Sequence, residues 1–290
     1  MVDSDEPTDM MQRKQRLAGV FDRAAPTYDR VGPRFFSHFG RRLVELARIP
    51  SRARVLDVAT GRGAALFPAI EAVGPHGHVT GIDLSEAMVQ ETAEEIRRRK
   101  LENAEVRQMD AEHLPFPDAS FDYVLCGFTI DYFPQREQAM SEFRRVLKPN
   151  GHICVSAWDK SWGEQWNWFY EIVEAYLPPE PETDQATESD TVSPHTPEGL
   201  RAILKAAGFD NIQVFSEAAE FVYSTDEEYW STLWSHSRRE TLEKIERITG
   251  TEGLGKFKAE IFRKLGDIKQ TDGLHQLFTA LIGLATRPPA

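Results

Sequence analysis

The stretch "VLDVATGRGAAL", residues 55–66, decides the fold of this chain of 290 residues. An apolar run that contains Asp57 leads into two glycines, Gly61 and Gly63, and small apolar residues follow. A buried strand that ends in a glycine-rich turn and continues into a helix has this pattern. Because glycines let the backbone approach a ligand closely, the stretch predicts a nucleotide site after the first strand.

The same change from strand to helix repeats along the chain as far as residue 158. Strands alternating with helices of this length predict a parallel sheet covered by helices on both faces, an α/β, doubly wound architecture. Ser85 is the predicted N-cap of the second of these helices. The strands are predicted at 54–60, 78–84, 104–110, 121–128 and 152–158, and the helices at about 63–73, 85–100 and 135–147.

Composition limits the partners of the protein. The net charge is −12, and a chain this acidic would not release counterions from the phosphate backbone of a nucleic acid, so we expect no nucleic acid partner. An anionic membrane surface would repel the chain. No apolar run reaches membrane-spanning length and no signal core begins the chain, so we expect a soluble, cytoplasmic protein without membrane insertion. Cys126 and Cys154 lie in strand-like runs, which predicts buried free thiols and no metal site.

Two well-known nucleotide motifs do not match the glycine turn. A P-loop needs a Gly-Lys-Ser/Thr end to bind phosphate and magnesium, and the stretch has none. The dinucleotide fingerprint needs a third glycine where helix and strand pack around a pyrophosphate, but that position is Leu66. Both mismatches argue against a phosphate-rich ligand.

The stretch instead resembles the first motif of class I S-adenosylmethionine-dependent methyltransferases, in which an acidic residue precedes alternating glycines. In this chain the motif falls on Asp57, Ala59, Gly61 and Gly63, with alanine at the usual first glycine. The resemblance implies that the glycines face the methionine end of S-adenosylmethionine, while Asp57 helps to hold its ammonium group, often through water. It also implies a Rossmann-like, seven-stranded sheet whose last strand is antiparallel, and "LFTALIGLATR" near the end of the chain fits that strand.

Four further segments match the same family in order and spacing. "GIDLSEAM" implies that Asp83 binds both ribose hydroxyls, that Leu84 lies against the adenine and that Met88 packs nearby. "QMDAEHLPF" implies that Asp110 accepts from the adenine amino group while the backbone N–H of Ala111 donates to the ring. "FDYVLCGFTIDYF" matches the fourth strand, which ends beside the transferred methyl group and makes Phe128 a cofactor contact, and "FRRVLKPNGHICVSAW" matches the helix, turn and strand that follow.

Upstream, "FDRAAPTYDRV" resembles the N-terminal segment of the ubiquinone/menaquinone-biosynthesis branch and its small-molecule relatives. In that branch a Tyr-Asp pair lies over the cofactor, which implies that Tyr28 contacts the cofactor or the substrate. The alternative is that Tyr28, like Phe21, only packs an amphipathic helix onto the protein.

The remaining sequence predicts a division of the chain around this core. Thr196 is the predicted N-cap of a helix that ends near Gly208. Five tryptophans either form the wall of an apolar pocket or pack a cap onto the core; they are Trp162, Trp166, Trp168, Trp230 and Trp234. The predicted parts are a disordered N-terminus at 1–14, a helical lid at 15–52, the cofactor-binding core at 53–158, an aromatic segment with a flexible loop at 159–195, and a C-terminal part at 196–290 with a helical cap at about 226–268.

The function implied is methyl transfer from S-adenosylmethionine to an oxygen, nitrogen or carbon of an apolar or aromatic small molecule. Positioning and desolvation carry such a displacement, so a general base is not required in every case. None of His38, His113, His195 and His236 has a motif partner, and we predict no catalytic residue. A nicotinamide-dependent oxidoreductase, or a family member that binds the cofactor for other chemistry, are the alternatives, and a homodimer is compatible with the sequence.

Overall fold

The computed structural model describes residues 6–161, 166–178 and 192–289, with side chains from residue 10 onward. Its centre is a seven-stranded sheet in the order β3-β2-β1-β4-β5-β7-β6. The strands are β1 (Arg54–Val58), β2 (His78–Asp83), β3 (Ala104–Gln108), β4 (Phe121–Gly127), β5 (Leu147–Trp158), β6 (Asp210–Tyr223) and β7 (Leu274–Thr286).

The first five strands run parallel, and β7 lies antiparallel between β5 and β6. The helices of the described residues are α1 (Glu6–Ala24), α2 (Phe35–Ala47), α3 (Leu66–Val73), α4 (Glu86–Arg98), α5 (Arg136–Val146), α6 (Asn167–Glu174), α7 (Pro197–Ala206), α8 (Asp226–Trp234) and α9 (Arg239–Ile268). This order confirms the predicted seven-stranded, doubly wound fold with an antiparallel last strand.

Strand and helix bounds agree closely with the predicted ones, with one exception at β5. The strand begins at Leu147, five residues before the predicted start, and the sequence "KPNG" forms a bulge within it: Phe121 pairs with Leu147 and Tyr123 already pairs with His152. Asn150 in this bulge has φ +63°, a backbone conformation that asparagine tolerates better than most residues. The predicted turn is therefore an irregularity of the strand.

Local capping chemistry starts two helices at the predicted residues. The hydroxyl of Ser85 accepts a hydrogen bond from the backbone N–H of Met88, and that of Thr196 accepts one from Gly199. Each bond satisfies an N–H group that has no partner within the helix. Both predicted N-caps are confirmed.

The predicted disorder at the N-terminus is wrong from residue 6 onward, because α1 begins at Glu6. The segment is polar, but side chains of α1 bond to the core: the carboxylate of Asp22 accepts hydrogen bonds from the hydroxyl of Ser85 at 2.6 Å and from the backbone N–H of Ala87 at 3.1 Å. Residues 1–5, Trp162 and most of the predicted flexible loop lie outside the described residues. The division into domains stays a prediction.

Apolar side chains form a core on each face of the sheet and a third core in the helices beyond it. Leu56, Val124 and Phe143 lie in one sheet core, and Val55, Leu66 and Ile70 lie in the other. Cys126 and Cys154 are buried free thiols in these cores, as predicted. The third core joins α6, α8 and α9. Among the described residues, we find no helix with the length and apolarity needed to cross a membrane.

Candidate active site

A cavity of about 450 Å³ lies at the carboxyl ends of β1, β2 and β4, where parallel sheets of this kind place their ligands. Helix α1 covers one end of it and residues around α8 cover the other. Two parts of the wall differ in chemistry. We call one the polar half, with Asp57, Gly61, Asp83, Asp110 and Lys14, and the other the aromatic half, with Tyr28, Phe36, Phe128, Trp158 and His236.

The turn after β1 is held by backbone hydrogen bonds, and it has a glycine at a left-handed backbone position. The backbone N–H of Thr60 donates to the carbonyl of Ile82 at 2.9 Å, and that of Gly63 donates to the carbonyl of Thr60 at 2.8 Å. Gly61 has φ +49° and nothing within 4 Å of the position that a Cβ would take. The turn therefore leaves open space beside the cavity, and a ligand can approach the backbone there.

Ala59 and Phe128 occupy left-handed backbone conformations at strand ends, with φ +51° and +58°. Both line the cavity, and such conformations are costly for residues with a Cβ. The alanine that replaces the family's first glycine thus adopts the conformation that favours glycine. Local strain at two strand ends of one cavity is typical of a functional site.

Ten of the eleven predicted cofactor residues line this cavity, and Gly63 does not. A Cβ on Gly63 would come within 2.5 Å of the Phe67 ring, and its φ is +81°. This glycine allows the turn to close onto α3. The ten that line the cavity are Tyr28, Asp57, Ala59, Gly61, Asp83, Leu84, Met88, Asp110, Ala111 and Phe128.

Two carboxyl groups of the polar half have raised pKa values. Burial raises the pKa of Asp57 to about 7, although the Thr60 hydroxyl donates to its carboxylate at 2.6 Å. Burial likewise raises the pKa of Asp83 to about 6, although the backbone N–H groups of Gly61 and Ser85 donate to it at 2.8 and 2.9 Å. Desolvation penalises each anion more than these bonds stabilise it, so a cationic or hydroxyl-bearing ligand would gain by pairing with them.

Asp110 forms an ion pair with Lys14, a residue for which the sequence analysis predicted no role. The ammonium group of Lys14 on α1 lies 2.8 Å from the Asp110 carboxylate and also contacts Glu112, which is fully buried. Burial works against the charges, but the pairing raises the pKa of Lys14 and lowers that of Asp110. Helix α1 is therefore tied to the polar half by charge.

The aromatic half is a set of rings in contact. The rings of Phe128 and Trp158 stack with centroids 4.1 Å apart, and Phe36 lies 5.5 Å from Phe128. Tyr28 stacks on Phe36 at 5.2 Å. Tyr28 thus lines the cavity and packs on Phe36 at the same time, and its contact with a cofactor or substrate stays a prediction. Rings that meet in this way form an apolar, water-poor wall.

Two of the four histidines named in the sequence analysis, His195 and His236, line the cavity, and their surroundings shift the two pKa values in opposite directions. His195 lies between two acceptors: its Nδ1 is 2.8 Å from the Trp158 carbonyl and its Nε2 is 3.2 Å from the Asp131 carboxylate. The Asp131 pairing raises the pKa of His195, against the effect of burial. Burial lowers the pKa of His236 to about 4, and its Nδ1 lies 2.8 Å from the Thr232 carbonyl.

Most of the tryptophans pack the cap. Trp168, Trp230 and Trp234 belong to the core that joins α6, α8 and α9 and do not line the cavity, whereas Trp166 does. Trp158, at the end of β5, was not among the predicted pocket residues, but its ring contacts those of Phe35, Phe36 and Phe128 in the cavity wall. The pocket-wall interpretation is thus wrong for these three tryptophans.

The residues present fit S-adenosylmethionine. An open glycine turn, buried carboxylates at strand ends and an adjoining apolar wall suit a ligand with an amino acid end, a ribose and a reactive methyl group. With the sheet order and its antiparallel seventh strand, they define the class of Rossmann-like methyltransferases that use S-adenosylmethionine.

Comparison with known proteins agrees with this class. Residues 49–221 match the methyltransferase domain family, so the chain belongs to that family. It is 39% identical over 144 residues to the aklanonic acid methyltransferase DauC of Streptomyces sp. (strain C5), a match that covers 50% of this chain and 66% of that protein. It is 33% identical over 235 residues to the nocamycin O-methyltransferase of Saccharothrix syringae, covering 78% of this chain and 84% of that one.

A solved structure shows the same fold. The YcgJ protein of Bacillus subtilis has a TM-score of 0.56 at 18% identity, covering 87% of this chain and 100% of that chain. The predicted class, enzyme type and cofactor are confirmed: the protein is an S-adenosylmethionine-dependent methyltransferase of small molecules. The nicotinamide-dependent alternative is therefore set aside.

Proposed function

We propose that the protein methylates an apolar, ring-bearing small molecule that binds in the aromatic half of the cavity. The observation that carries the proposal is the position of Phe128, which belongs to the aromatic half but lies beside the end of β1, the neighbouring strand that carries Asp57 of the polar half. This residue follows β4, and its ring stacks on Trp158 and meets Phe36. A methyl acceptor lying on these rings would be next to the ligand of the polar half.

The proposed roles in the polar half follow from position and charge. Asp83 accepts from the ribose hydroxyls, and Asp57 with the turn at Gly61 holds the methionine end. Asp110 accepts from the adenine amino group once Lys14 gives way, and the Ala111 N–H donates to the ring. Leu84 and Met88 pack against the adenine, and Ala59, Tyr28 and Phe128 face the reactive end.

The cofactor supplies an activated methyl group on a sulfonium. The chain then has to orient the acceptor in line with that methyl group and to keep water away from it. Packed rings at Phe36, Phe128 and Trp158 do both, because they fix a flat molecule by contact and present mostly apolar surface to water. O-methylation is favoured by the relative from Saccharothrix syringae, whose name states that reaction.

Other parts of the proposal rest on the sequence alone. The negative charge argues against a nucleic acid partner. A cytoplasmic location and a homodimer stay predictions.

Binding and transfer experiments test the proposal. Calorimetry should show binding of S-adenosylmethionine and its demethylated product, and none of NAD. Tritiated methyl groups should then pass from the cofactor into flat aromatic compounds of a metabolite extract. Label confined to polar amines would contradict the aromatic acceptor, and binding of NAD alone would contradict the function altogether.

A further inference from the structure

His236 has one nitrogen that the protein leaves without a partner. The residue is 7% exposed and lines the cavity, and its Nε2 has no hydrogen-bond partner among the described residues. A buried polar atom without a partner costs about as much as a lost hydrogen bond, and native proteins rarely leave one without a reason. A ligand that supplies the missing partner would remove this cost.

The hydrogen bonds of the other nitrogen fix the protonation of the ring. A carbonyl oxygen can only accept, so Nδ1, 2.8 Å from the Thr232 carbonyl, carries the hydrogen. Burial lowers the pKa of His236, so the ring is neutral near pH 7 and Nε2 presents a lone pair. What fits Nε2 is therefore a hydrogen-bond donor.

The surroundings of Nε2 are aromatic. The imidazole centroid lies 5.0 Å from the rings of Tyr28 and Phe35 and 5.3 Å from that of Phe36. A donor that docks here has to be carried by an apolar body, and a hydroxyl group on a flat ring system meets both conditions. Because Nε2 is buried in this structure, the neighbouring rings have to shift when such a hydroxyl docks.

His195 and Asp29 are less suited than His236 to accept a hydrogen bond from such a hydroxyl group. Both nitrogens of His195 already have acceptors, the Trp158 carbonyl and the Asp131 carboxylate. Asp29 also lines the cavity and has an oxygen, Oδ1, without a partner, while its Oδ2 accepts from the backbone N–H and the hydroxyl of Ser37. Its Oδ1 is a second orphaned acceptor in the same cavity, which makes Asp29 the proper comparison residue.

We propose that Nε2 of His236 accepts a hydrogen bond from a hydroxyl group on the ring system of the methyl acceptor, and that this bond selects hydroxylated aromatic substrates. This inference rests on the proposed function, since it takes the aromatic half as the acceptor site. A site that hydrogen-bonds a substrate hydroxyl rejects the analogue that lacks it, because the buried partner is then left unpaired.

A pair of probes that differ in one hydrogen-bond donor tests the proposal. With the demethylated cofactor at saturation, dissociation constants are measured for 2-naphthol and 2-methoxynaphthalene, which share their rings. The wild-type protein should bind 2-naphthol more tightly by about fivefold, the effect of one net hydrogen bond. His236→Phe keeps an aromatic ring and should bind the two equally, whereas Asp29→Asn should keep the preference.

Folding of the variant is checked by its affinity for the demethylated cofactor. The Thr232 carbonyl still accepts from the backbone and hydroxyl of Ser235, so His236→Phe leaves no orphaned acceptor there. His236→Asn is the second variant, since its amide can donate to Thr232 but cannot reach the position of Nε2. Equal affinities in the wild type, or a preference that survives in both variants, would overturn the role of His236; if neither probe binds the wild type, both the role and the aromatic acceptor are overturned.

Discussion

In the polar half, the carboxylates of Asp57 and Asp83 bond to groups of their own or the neighbouring strand-to-helix turn, whereas the aromatic half collects rings from distant parts of the chain. Asp83 illustrates the first, with bonds to Gly61 and Ser85 across one strand pair. Phe36, Trp158 and His236 illustrate the second, since they come from α2, the end of β5 and the residues after α8. Apart from Lys14 on α1, the polar half is built at the ends of sheet strands, whereas the aromatic half adds residues of α2 and of the segment after α8 to the strand-end rings of Phe128 and Trp158.

This difference separates two tasks of the enzyme. Carboxylates fixed by backbone bonds keep their positions whatever binds beside them, which suits a constant cofactor. Rings held by mutual contact can change with a few substitutions, which suits an acceptor that differs between relatives. If the two tasks are separate, substitutions in one half should leave ligand binding in the other half unchanged.

The largest effect is expected for Asp83→Ala. Loss of charged hydrogen bonds, each worth about 1.5–3 kcal/mol, should weaken S-adenosylmethionine binding by an order of magnitude or more. Calorimetry measures it, with Asp122→Ala as the control: Asp122 lies on β4 and bonds to Arg54 and Lys148 away from the cavity. Unchanged affinity in Asp83→Ala would remove the ribose role of this residue.

Acid should weaken cofactor binding. The pKa of Asp83 is raised to about 6, so the carboxylate gains a proton as the pH falls through this value and loses its charge. If binding needs the anion, affinity should fall by about tenfold from pH 8 to pH 5. Calorimetry across this range should show the fall in the wild type and a smaller one in Asp83→Asn, where Asp57, with a pKa of about 7, still titrates. Equal pH profiles would contradict the prediction.

The raised pKa values of Asp57 and Asp83 also determine how the free energy of unfolding changes with pH. Asp57 and Asp83 titrate at about 7 and about 6 in the folded protein and at the ordinary 3.8 when unfolded. Between these values the folded state binds more protons, so the contribution of the two groups to the free energy of unfolding falls as the pH rises from about 4 to about 7.

A smaller effect is expected for Phe36→Ala in the aromatic half. The variant loses ring contacts with Tyr28, Phe128 and Trp158, so 2-naphthol should bind about fivefold more weakly. Affinity for the demethylated cofactor should change less than about twofold, as separate tasks require. The control is Phe116→Ala, because the ring of Phe116 packs on Phe121 outside the cavity. If Phe36→Ala weakened the binding of both ligands equally, the two halves would be coupled.

The smallest effect concerns Ala59→Gly. Glycine adopts φ +51° without the strain of a Cβ, so the free energy of unfolding should rise by up to about 1 kcal/mol. Chemical denaturation measures the change. The control is Ala72→Gly in the last turn of α3, which should lower the free energy of unfolding by up to a similar amount. A lower free energy of unfolding in Ala59→Gly would contradict the prediction and show that the methyl group of Ala59 contributes to packing.

Much of the polar half could be predicted from the sequence because its signals are local. Strand patterns located the carboxylates of Asp57, Asp83 and Asp110 within a residue or two of the strand ends. Gly63 shows the limit of this reasoning: the motif predicts glycine there as a cofactor contact, and only the structure shows that the Phe67 ring lies where a Cβ of this residue would be.

The aromatic half could not be predicted because no local pattern joins its members. Phe36 and His236 lie 200 positions apart, and in the local sequence each has the pattern of an ordinary apolar or surface position. The helical start at Glu6 was missed for a related reason: a polar segment gains stability from partners such as Asp110 and Ser85, far along the chain.

Helix α1 reaches three separate parts of the protein. Lys14 pairs with Asp110 and Glu112, Asp22 accepts from the start of α4, and Arg23 lies 2.6 Å from Glu243 on α9. Any opening of α1 has to break ion pairs in the middle of the helix, at Lys14, and in its last turn, at Arg23. Dissolved salt screens exposed pairs more than buried ones, so added salt should loosen α1 first at Arg23 and Glu243, while the buried pair of Lys14 with Glu112 continues to hold the middle of the helix.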